Sequence, residues 1–390
     1  MKKKFLASVL CLSLSVSSLF ASNVADNKKD GVTTKSSKTS MSSLSDTDIN
    51  SIKNILSHMP KFKGYLQTGY QFVSNGNKST SSFQAKRFRL IMDGNVAKNI
   101  SVRMQLECFN GIGATTVDGH KNIQVMDAFA TAKITDGFQV RAGRYYLPLG
   151  YENYDISPAT LETVNFSNIV YSVVCRNPYS YNYVDYGRDL GVMLMGNLFK
   201  SEDGYSHLSY NLSLSNGATP YKDDNNKQKD VIAALTYRPC KFMNIKASYN
   251  YGQYDGTING VDYTNQRMSR YVIGAWYNDP KGLDLRAEYA GINSTKGGSD
   301  VATESAFYAL AAYHINKFLP VVRYDFYKDD VNKTSLNNFD RLLVGLTYNV
   351  VKNVKVQANY AYVTYKDAAK VSNNGEDDAH QLQIMAIFSF

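Results

Sequence analysis

The sequence is poor in the residue types that mark several common protein classes. It contains 4 Cys, 8 Pro, 5 His and a single Trp among 390 residues. None of the histidines lies in a Gly-x-Ser-x-Gly or His-Glu-x-x-His context, and neither a P-loop nor a dinucleotide-binding glycine pattern is present. We therefore expect no enzyme activity and no cofactor. The excess of basic residues is scattered rather than clustered, so nucleic-acid binding has no support either.

Long hydrophobic runs are missing from all but the N-terminus. The mean hydropathy is −0.34, and after residue 21 no apolar run approaches the roughly 20 residues of a membrane-spanning helix. The one apolar stretch, residues 5–20, follows Lys2, Lys3 and Lys4 and ends in a small residue at Ala21. This pattern is typical of a secretory signal peptide, which we place at residues 1–21. The sequence therefore predicts an exported protein that is not a bundle of membrane helices.

The scarcity of cysteine limits how the exported chain is held together. Without the signal peptide, the chain keeps Cys108, Cys175 and Cys240, an odd number with no short metal-ligand spacing. Neither a zinc site nor a disulfide framework is therefore indicated. A loop disulfide between Cys108 and Cys175 is one interpretation. Three separate thiols in apolar or lipid-facing surroundings is the interpretation that we favour.

Residues 22–60 differ from the rest of the chain because they are rich in Ser, Thr, Lys, Asp and Asn. Such a segment has too little apolar surface to fold by itself, so we interpret it as a polar linker. Near its end, apolar residues recur at helical spacing and predict a short amphipathic helix: Ile49, Ile52, Leu56 and Met59. A docked helix and a frayed linker both fit this pattern.

Tyrosine and phenylalanine are abundant, with 30 and 18 residues respectively. From residue 62 onward, apolar and polar residues alternate in segments of about ten, separated by Gly, Asn, Asp and Lys. The last segment, residues 380–390, places Leu382, Ile384 and Phe388 on one face and ends the chain at Phe390. We count about sixteen such segments. The alternation predicts an all-β chain.

The connections between these segments alternate in length. Short connections at residues 93–99, 136–137, 278–282, 315–319 and 351–352 interleave with longer polar ones at 216–228, 253–265, 293–303 and 366–377. Short periplasmic turns alternating with long external loops are typical of a transmembrane antiparallel β-barrel, whereas a soluble β-sandwich has no reason to sort its loops in this way. We therefore assign residues 61–390 to a barrel of about 16 strands in the outer membrane of a Gram-negative bacterium. A barrel of that width is expected to hold water.

One connection, between Arg144 and Tyr186, is long and too apolar for a solvated loop. Its apolar residues are Ile156, Leu161, Val164, Phe166, Ile169, Val170 and Val173. A long apolar loop usually has a surface on which it packs. We therefore expect this third extracellular loop to fold inward and narrow the lumen, and an external lid is the alternative.

Three stretches of the sequence resemble a known family in their order and spacing. They are Lys-Arg-Phe-Arg-Leu-Ile-Met-Asp-Gly at 86–94, Arg-Ala-Gly-Arg-Tyr-Tyr-Leu-Pro-Leu-Gly-Tyr-Glu at 141–152, and Gly-Arg-Asp-Leu-Gly-Val at 187–192. Together they resemble the phosphate-selective porin O and P family. The resemblance implies a 16-stranded outer-membrane barrel, usually a homotrimer, whose third loop folds inward and whose basic lumen passes small inorganic anions or other hydrophilic solutes. An arginine pair opens the first motif in that family, and here Lys86 and Arg87 stand in its place, followed by Arg89.

The candidate pore-lining residues are basic side chains on the polar faces of predicted strands. Arg87 and Arg89 lie two residues apart and thus on one face, and they are the main candidates together with Lys86. Arg103 and Arg141 occupy neighbouring strands, and Arg323 and Arg341 are weaker candidates of the same kind. A cationic constriction attracts anions, and the planar guanidinium group donates two hydrogen bonds to an oxyanion. The alternative is that such arginines pair with lumenal carboxylates such as Glu107, Asp127 or Asp325.

The inward loop departs from the family because residues 147–175 contain no Lys or Arg. They contain Glu152, Asp155 and Glu162 instead, which we assign to the constriction. The leading hypothesis is passive diffusion of small hydrophilic anions, with phosphate or other oxyanions foremost. Arginines on one wall facing carboxylates on the other would instead give a general, weakly selective porin. A surface receptor or adhesin on a barrel scaffold is the third hypothesis.

Overall fold

The computed structural model describes residues 59–76, 78–109, 123–175, 187–217, 224, 226–258, 261–296, 299–331, 338–366, 370 and 375–390. Within them the chain forms sixteen β-strands, a one-turn helix and one π-helical turn, Ile169–Val174. The proposed signal peptide, and the linker up to its last two residues, lie outside the described residues.

The elements follow in the order β1 (Lys61–Asn75), β2 (Lys78–Ala97), β3 (Ile100–Glu107), β4 (Gln124–Thr135), β5 (Phe138–Tyr146), α1 (Tyr151–Tyr154), β6 (Arg188–Lys200), β7 (Ser206–Ser215), β8 (Asp230–Cys240), β9 (Met243–Ile258), β10 (Val261–Asn278), β11 (Leu283–Lys296), β12 (Ser299–Tyr313), β13 (Phe318–Val331), β14 (Asn338–Val351), β15 (Val354–Tyr365) and β16 (Asp378–Ser389).

The sheet closes on itself. Every strand pairs antiparallel with its neighbours in the chain, and β1 pairs with β16, so that Leu66 lies opposite Phe388. Gly64 and Phe390 seal this seam by exchanging two backbone hydrogen bonds of 3.0 Å. Closure removes the sheet edges, which is what a sheet in lipid requires because no water is there to satisfy free peptide groups. The predicted all-β, 16-stranded antiparallel barrel is confirmed.

Successive residues along each strand face opposite sides of the barrel wall. On β13, Val322 and Tyr324 face outward and are 44% and 40% exposed. Arg323 and Asp325 between and beside them face inward and are buried. The alternation seen in the sequence is therefore that of a wall with an apolar outer face and a polar inner face.

Two of the predicted external loops are much shorter than the sequence suggested. The prediction of loops at 253–265 and 293–303 is wrong, because β9 continues to Ile258 and β10 starts at Val261, while β11 continues to Lys296 and β12 starts at Ser299. The outward positions of these strand ends include the polar residues Gln253 and Asp255, so the apolar outer face disappears while the backbone ladder continues. Strand ends that pass beyond the lipid no longer need an apolar face.

The three cysteines that follow the signal peptide are thiols, so the interpretation of a disulfide between Cys108 and Cys175 is wrong. Cys175 is buried and Cys240 is exposed at the end of β8. No helix in the described parts of the chain has the length and apolar content needed to cross a membrane.

Candidate functional site: the lumen and its inserted loop

The chain enters the lumen directly after β5. Gly150 has φ +75°, a left-handed conformation that side chains disfavour, and a Cβ there would lie 3.2 Å from Glu288 Oε1. At the base of the loop, the N–H of Leu147 donates to the carbonyl of Gly187 at 2.8 Å. The Nδ2 of Asn153 donates to the carbonyl of Leu147 at 3.0 Å. We call residues 147–175 the inserted loop.

Helix α1 at the start of the inserted loop is held by a wall carboxylate. The Oε1 atom of Glu288 on β11 accepts from the N–H of Tyr151 at 2.6 Å, and its Oε2 atom accepts from the N–H of Glu152 at 3.2 Å. The hydroxyl of Tyr308 donates to the same carboxylate at 2.8 Å. Glu288 thereby satisfies N–H groups that have no partner within the helix.

The middle of the inserted loop packs against the far wall as a dry core inside the barrel. The loop contributes Leu149, Leu161, Phe166, Ile169, Val170, Val173 and Val174, all buried. The wall contributes Tyr254, Met268, Val272, Ala290, Ile292, Tyr308 and Leu310 from β9–β12. Removal of this apolar surface from water drives the loop inward. The predicted inward fold is confirmed, and the interpretation of an external lid is wrong.

Basic side chains of β10, β13 and β15 satisfy backbone carbonyls of the inserted loop. Arg270 on β10 donates to the carbonyl of Val174 at 2.9 Å. Arg323 on β13 donates to the carbonyl of Asn165 at 2.9 Å. Lys355 on β15 donates to another loop carbonyl at 3.0 Å. Because a buried carbonyl without a partner is costly, these cations allow an irregular segment to lie in a dry interior.

The site also contains four basic residues that were not among those predicted from the sequence: Lys246, Arg270, Arg286 and Lys355. Each lies at a lumen-facing position of its strand, which the alternation could have revealed. No signal in the sequence shows that the loop lies over them. The weaker candidates Arg323 and Arg341 also contact the loop, and Arg341 donates to the Oδ1 atom of Asn168 at 2.9 Å.

Two of the three candidate loop carboxylates bind cations of the wall. Glu162 forms a salt bridge with Arg286 in which both side chains are almost fully buried. Although burial pushes the pKa of Glu162 upward, the Arg286 charge and hydrogen bonds hold the pKa below its usual value. Asp155 pairs with Lys246 at 2.5 Å. These carboxylates tie the loop to β9 and β11 and are neutralised there.

The third carboxylate, Glu152, lies wholly inside the packed region. Its Oε2 atom accepts a hydrogen bond of 2.7 Å from the backbone N–H of Ser167, and its Oε1 atom has no hydrogen-bond partner. Burial raises the pKa of Glu152 to about 7, and the charges of Arg323 and Arg286 limit the increase. Glu152 therefore stabilises the loop from within rather than facing open lumen.

Arg87 and Arg89 face inward on β2 but have different partners. Arg87 donates to Gln67 Oε1 at 2.5 Å and to the carbonyl of Val164 at 3.3 Å. Arg89 pairs with Glu107 at 2.9 Å, and both side chains are buried. Arg87 therefore contacts the inserted loop. Arg89 instead pairs with the lumenal carboxylate Glu107, as the alternative interpretation predicted.

The other candidates lie near these two, on β2, β3 and β5. The register of β1 against β2 shifts between Gln67 and Thr68, which inserts Lys86 as a bulged residue beside Arg87.

Arg103 pairs with Asp93 at 2.6 Å, yet its side chain is 40% exposed. Arg141 donates to Thr131 Oγ1 at 3.1 Å, and its guanidinium group lies 4.2 Å above the ring of Phe129. Arg103 and Arg141 are only partly buried and lie on β3–β5, about half-way round the ring of strands from the dry core.

Asp127 and Asp325, the other two carboxylates predicted as possible arginine partners, also pair with arginines. Asp127 on β4 binds Arg188 at 2.5 Å, and the Arg188 guanidinium group lies 3.4 Å above the ring of Tyr146. Asp325 binds Arg323 at 2.8 Å. Arg188 is therefore a structural residue at the point where the chain leaves the loop and starts β6.

A known family matches the sequence, and solved structures share the fold. A model of the Gram-negative porin family matches residues 37–368. No curated protein sequence matches the chain. The family match concerns Gram-negative porins and does not single out the phosphate-selective family.

Solved structures with this fold include an anion-selective porin from Comamonas acidovorans, which is 12% identical with a TM-score of 0.60 over 85% of this chain and 99% of that chain. Salmonella typhi OmpF in complex with daunomycin is 17% identical with a TM-score of 0.59 over 86% of this chain and 99% of that chain. The trimer form of OmpT, an outer membrane protein of Vibrio cholerae, is 12% identical with a TM-score of 0.57 over 85% and 99%. At these identities the likeness shows the fold alone. Because the family model covers most of a chain that closes into this barrel, the protein belongs to the Gram-negative porin family.

Proposed function

We propose that this porin allows passive diffusion of small hydrophilic solutes across the outer membrane and prefers anions. The observation that carries this proposal is the pair of partly exposed arginines, Arg103 and Arg141, on the wall that the loop leaves accessible. The loop carboxylates Asp155 and Glu162 already bind wall cations, so they do not offset these arginines. A solute on this side therefore meets positive charge.

The charges around Arg103 support the same preference. Asp93 accepts from Arg103 at 2.6 Å and from Lys63 at 2.9 Å, so two cations share one carboxylate. The side chain of Lys63 is 56% exposed. A net positive wall in a narrow channel raises the local concentration of anions, since low-dielectric walls focus the field.

Oxyanions such as phosphate are the solutes that we propose first. Arg141 stacks on Phe129 and uses its Nε atom for Thr131, which fixes the plane of the guanidinium group. A planar group held in this way suits the two hydrogen bonds of an oxyanion. The motif resemblance to the phosphate-selective family and the description of the Comamonas protein as anion-selective support this choice.

A general porin is the second candidate function, and a specific observation favours it. Arg89 and Arg323 are each neutralised by a buried carboxylate, Glu107 and Asp325. The inserted loop adds no Lys or Arg to the constriction. Few lumenal cations would then act on passing solutes, and the ion preference would be weak.

We propose further that the protein is a homotrimer in the outer membrane and acts as a channel rather than as an enzyme. The solved trimer form of the Vibrio cholerae OmpT supports the trimer. Mass measurement of the detergent-extracted, unheated protein tests it, because a trimer predicts three times the mass of the mature chain. A mass equal to one chain would contradict it.

Planar-bilayer recording tests the anion preference. Under a potassium chloride gradient, the wild type is expected to show an anion-selective reversal potential, and low phosphate is expected to block the chloride current. The double variant Arg103→Gln and Arg141→Gln is expected to lose both properties, whereas the control Lys352→Gln in the turn between β14 and β15 keeps them.

Unblocked current with little ion preference would favour the general porin. The absence of any channel would overturn both functions and favour a surface receptor or adhesin.

A further inference from the structure

The outer face of the barrel carries an apolar groove on β9–β13. Its floor includes Ala275, Ala287 and Ala309, which are direct cross-strand neighbours on three adjacent strands. Tyr277 and Tyr324 are among the larger side chains that line it. The floor residues alternate with inward-facing residues of the wall, so the groove opens outward to the membrane.

This groove differs from a flat lipid-facing surface. The side chains of its floor are single methyl groups, whereas the larger rings of Tyr277 and Tyr324 stand at its rim. In a closed barrel that spans the membrane, the outward face is bathed by lipid chains. A chain seated between the two tyrosines would therefore contact protein on several sides. The groove by itself, however, does not select among lipids.

Charge at the periplasmic end of the groove supplies that selection. The short turns that join β8 to β9, β10 to β11, and β12 to β13 carry Lys241, Lys281 and Lys317, all exposed. Lys281 precedes Ala287 by six residues, so at about 3.3 Å per residue the lysine lies roughly 20 Å from the groove floor along β11. Asp279 is the carboxylate of these three turns, and it accepts from the backbone N–H of Lys281 at 3.0 Å. The turns thus carry a net positive charge.

Aromatic contacts connect this charge to the groove. The ammonium group of Lys241 lies 5.7 Å from the ring centroid of Phe242. Phe242 in turn packs edge-on against Tyr277 at 6.1 Å between ring centroids. Since Tyr277 lines the groove, the apolar groove and the basic turns form one continuous surface. Aromatic rings of this kind sit at the level of lipid headgroups.

We propose that this surface binds one anionic phospholipid of the inner leaflet, with an acyl chain in the alanine-floored groove and the phosphate beside Lys281. Lys241 and Lys317 lie two strands to either side, at about 10 Å from Lys281, and add to the positive field there. Lysines next to an anionic membrane surface attract its headgroups, and buried methylene groups add to the binding. The proposal depends on the membrane-spanning barrel and not on the solute preference. Its failure and the failure of the anion-channel proposal are therefore distinguishable.

Native mass spectrometry of the detergent-solubilised porin tests the proposal with two probes, phosphatidylglycerol and phosphatidylcholine of the same acyl chains. We expect preferential retention of phosphatidylglycerol. The triple variant Lys241→Gln, Lys281→Gln and Lys317→Gln is expected to weaken its binding roughly a hundredfold, at about fivefold per lysine. The matched triple variant lies on the other side of the barrel, in the β2–β3 turn and at the periplasmic ends of β4 and β6, and it keeps wild-type binding: Lys98→Gln, Lys133→Gln and Lys200→Gln.

A second pair of variants tests the groove. Ala309→Leu fills the floor and is expected to weaken phosphatidylglycerol binding, while Ala130→Leu on the outer face of β4 leaves it unchanged. Both positions face outward, and unheated-gel mobility confirms folding of each variant.

Three results would overturn the proposal. They are equal binding of the two lipids, equal loss in both triple variants, and equal binding of glycerol phosphate without acyl chains. The last would show a headgroup site that does not use the groove.

Discussion

The Oε2 atom of Glu152 accepts a 2.7 Å hydrogen bond from the backbone N–H of Ser167, fifteen residues further along the inserted loop. Both residues are fully buried. The second carboxylate oxygen of Glu152 has no hydrogen-bond partner. Glu152 thus links two parts of the inserted loop. Only one oxygen of its buried carboxylate accepts a hydrogen bond, so the charged form is poorly stabilised. The packing of the loop is therefore expected to depend on pH.

Acidification is expected to tighten the inserted loop. Burial raises the pKa of Glu152 to about 7 from an ordinary 4.5, so the packed loop favours the protonated form. The stability from this group is complete below about pH 4.5 and is lost as the pH rises through about 7, a change on the order of 3 kcal/mol. Open-channel current noise from loop motion is therefore expected to increase from pH 4.5 to pH 8.

The variant Glu152→Gln keeps an oxygen acceptor for Ser167 and removes the titration. Its current noise is expected to be low at both pH values, while the control Glu202→Gln at the periplasmic turn after β6 behaves like wild type. An undiminished pH dependence in Glu152→Gln would assign the effect to another group.

The Arg286 and Glu162 pair is expected to behave as a unit. Arg286→Leu leaves the Glu162 carboxylate buried without its main partner, which typically costs about 3–5 kcal/mol. The double variant Arg286→Leu and Glu162→Gln removes the stranded charge and is expected to recover most of that loss. Thermal unfolding in detergent measures both changes. Additive losses in the double variant would show that the two residues act independently.

Substitution of Arg103 is expected to change ion selectivity, whereas substitution of Arg89 is expected to change thermal stability. Arg103 is 40% exposed, so Arg103→Gln is expected to lower the anion preference and change the unfolding temperature little. Arg89→Gln leaves Glu107 buried and unbalanced, so it is expected to lower the unfolding temperature. Reversal potentials and thermal unfolding of the two variants provide the comparison. A larger selectivity change in Arg89→Gln would place the solute path beside Arg89 instead.

Gly150→Ala is expected to disturb the entry of the chain into the lumen. With φ +75° and ψ 165°, Gly150 is in a region that essentially only glycine adopts, so alanine there costs about 1–3 kcal/mol. Its Cβ would also lie 3.2 Å from Glu288 Oε1 and 3.3 Å from Val272 Cγ1. We expect lower thermal stability and a larger, noisier conductance. Gly204→Ala is the matched control, because Gly204 has φ +85° with nothing within 4 Å. An unchanged conductance in Gly150→Ala would show that this contact does not position the loop.

Local patterns in the sequence were sufficient to predict the wall of the barrel. Alternation predicted that Arg323 and Asp325 face the lumen, and the structure has Val322 and Tyr324, their neighbours in the chain, facing outward, because successive residues of a strand point to opposite faces. The same reasoning failed at residues 253–265, where polar residues at outward positions hid the continuing strands β9 and β10. Hydrogen bonding of the backbone, which leaves no trace in side-chain alternation, decides where those strands end.

By itself, the sequence determined a barrel of about sixteen strands, with arginines on the polar faces of its strands and an apolar third loop, since these follow from periodicity and composition. Only the tertiary structure decided which charges meet. Arg89 binds Glu107, and Arg286 binds Glu162 more than a hundred residues away in the chain. The first pair depends on the register of β2 against β3, and the second on how the loop lies across the lumen, because electrostatic attraction follows distance in space rather than separation in sequence.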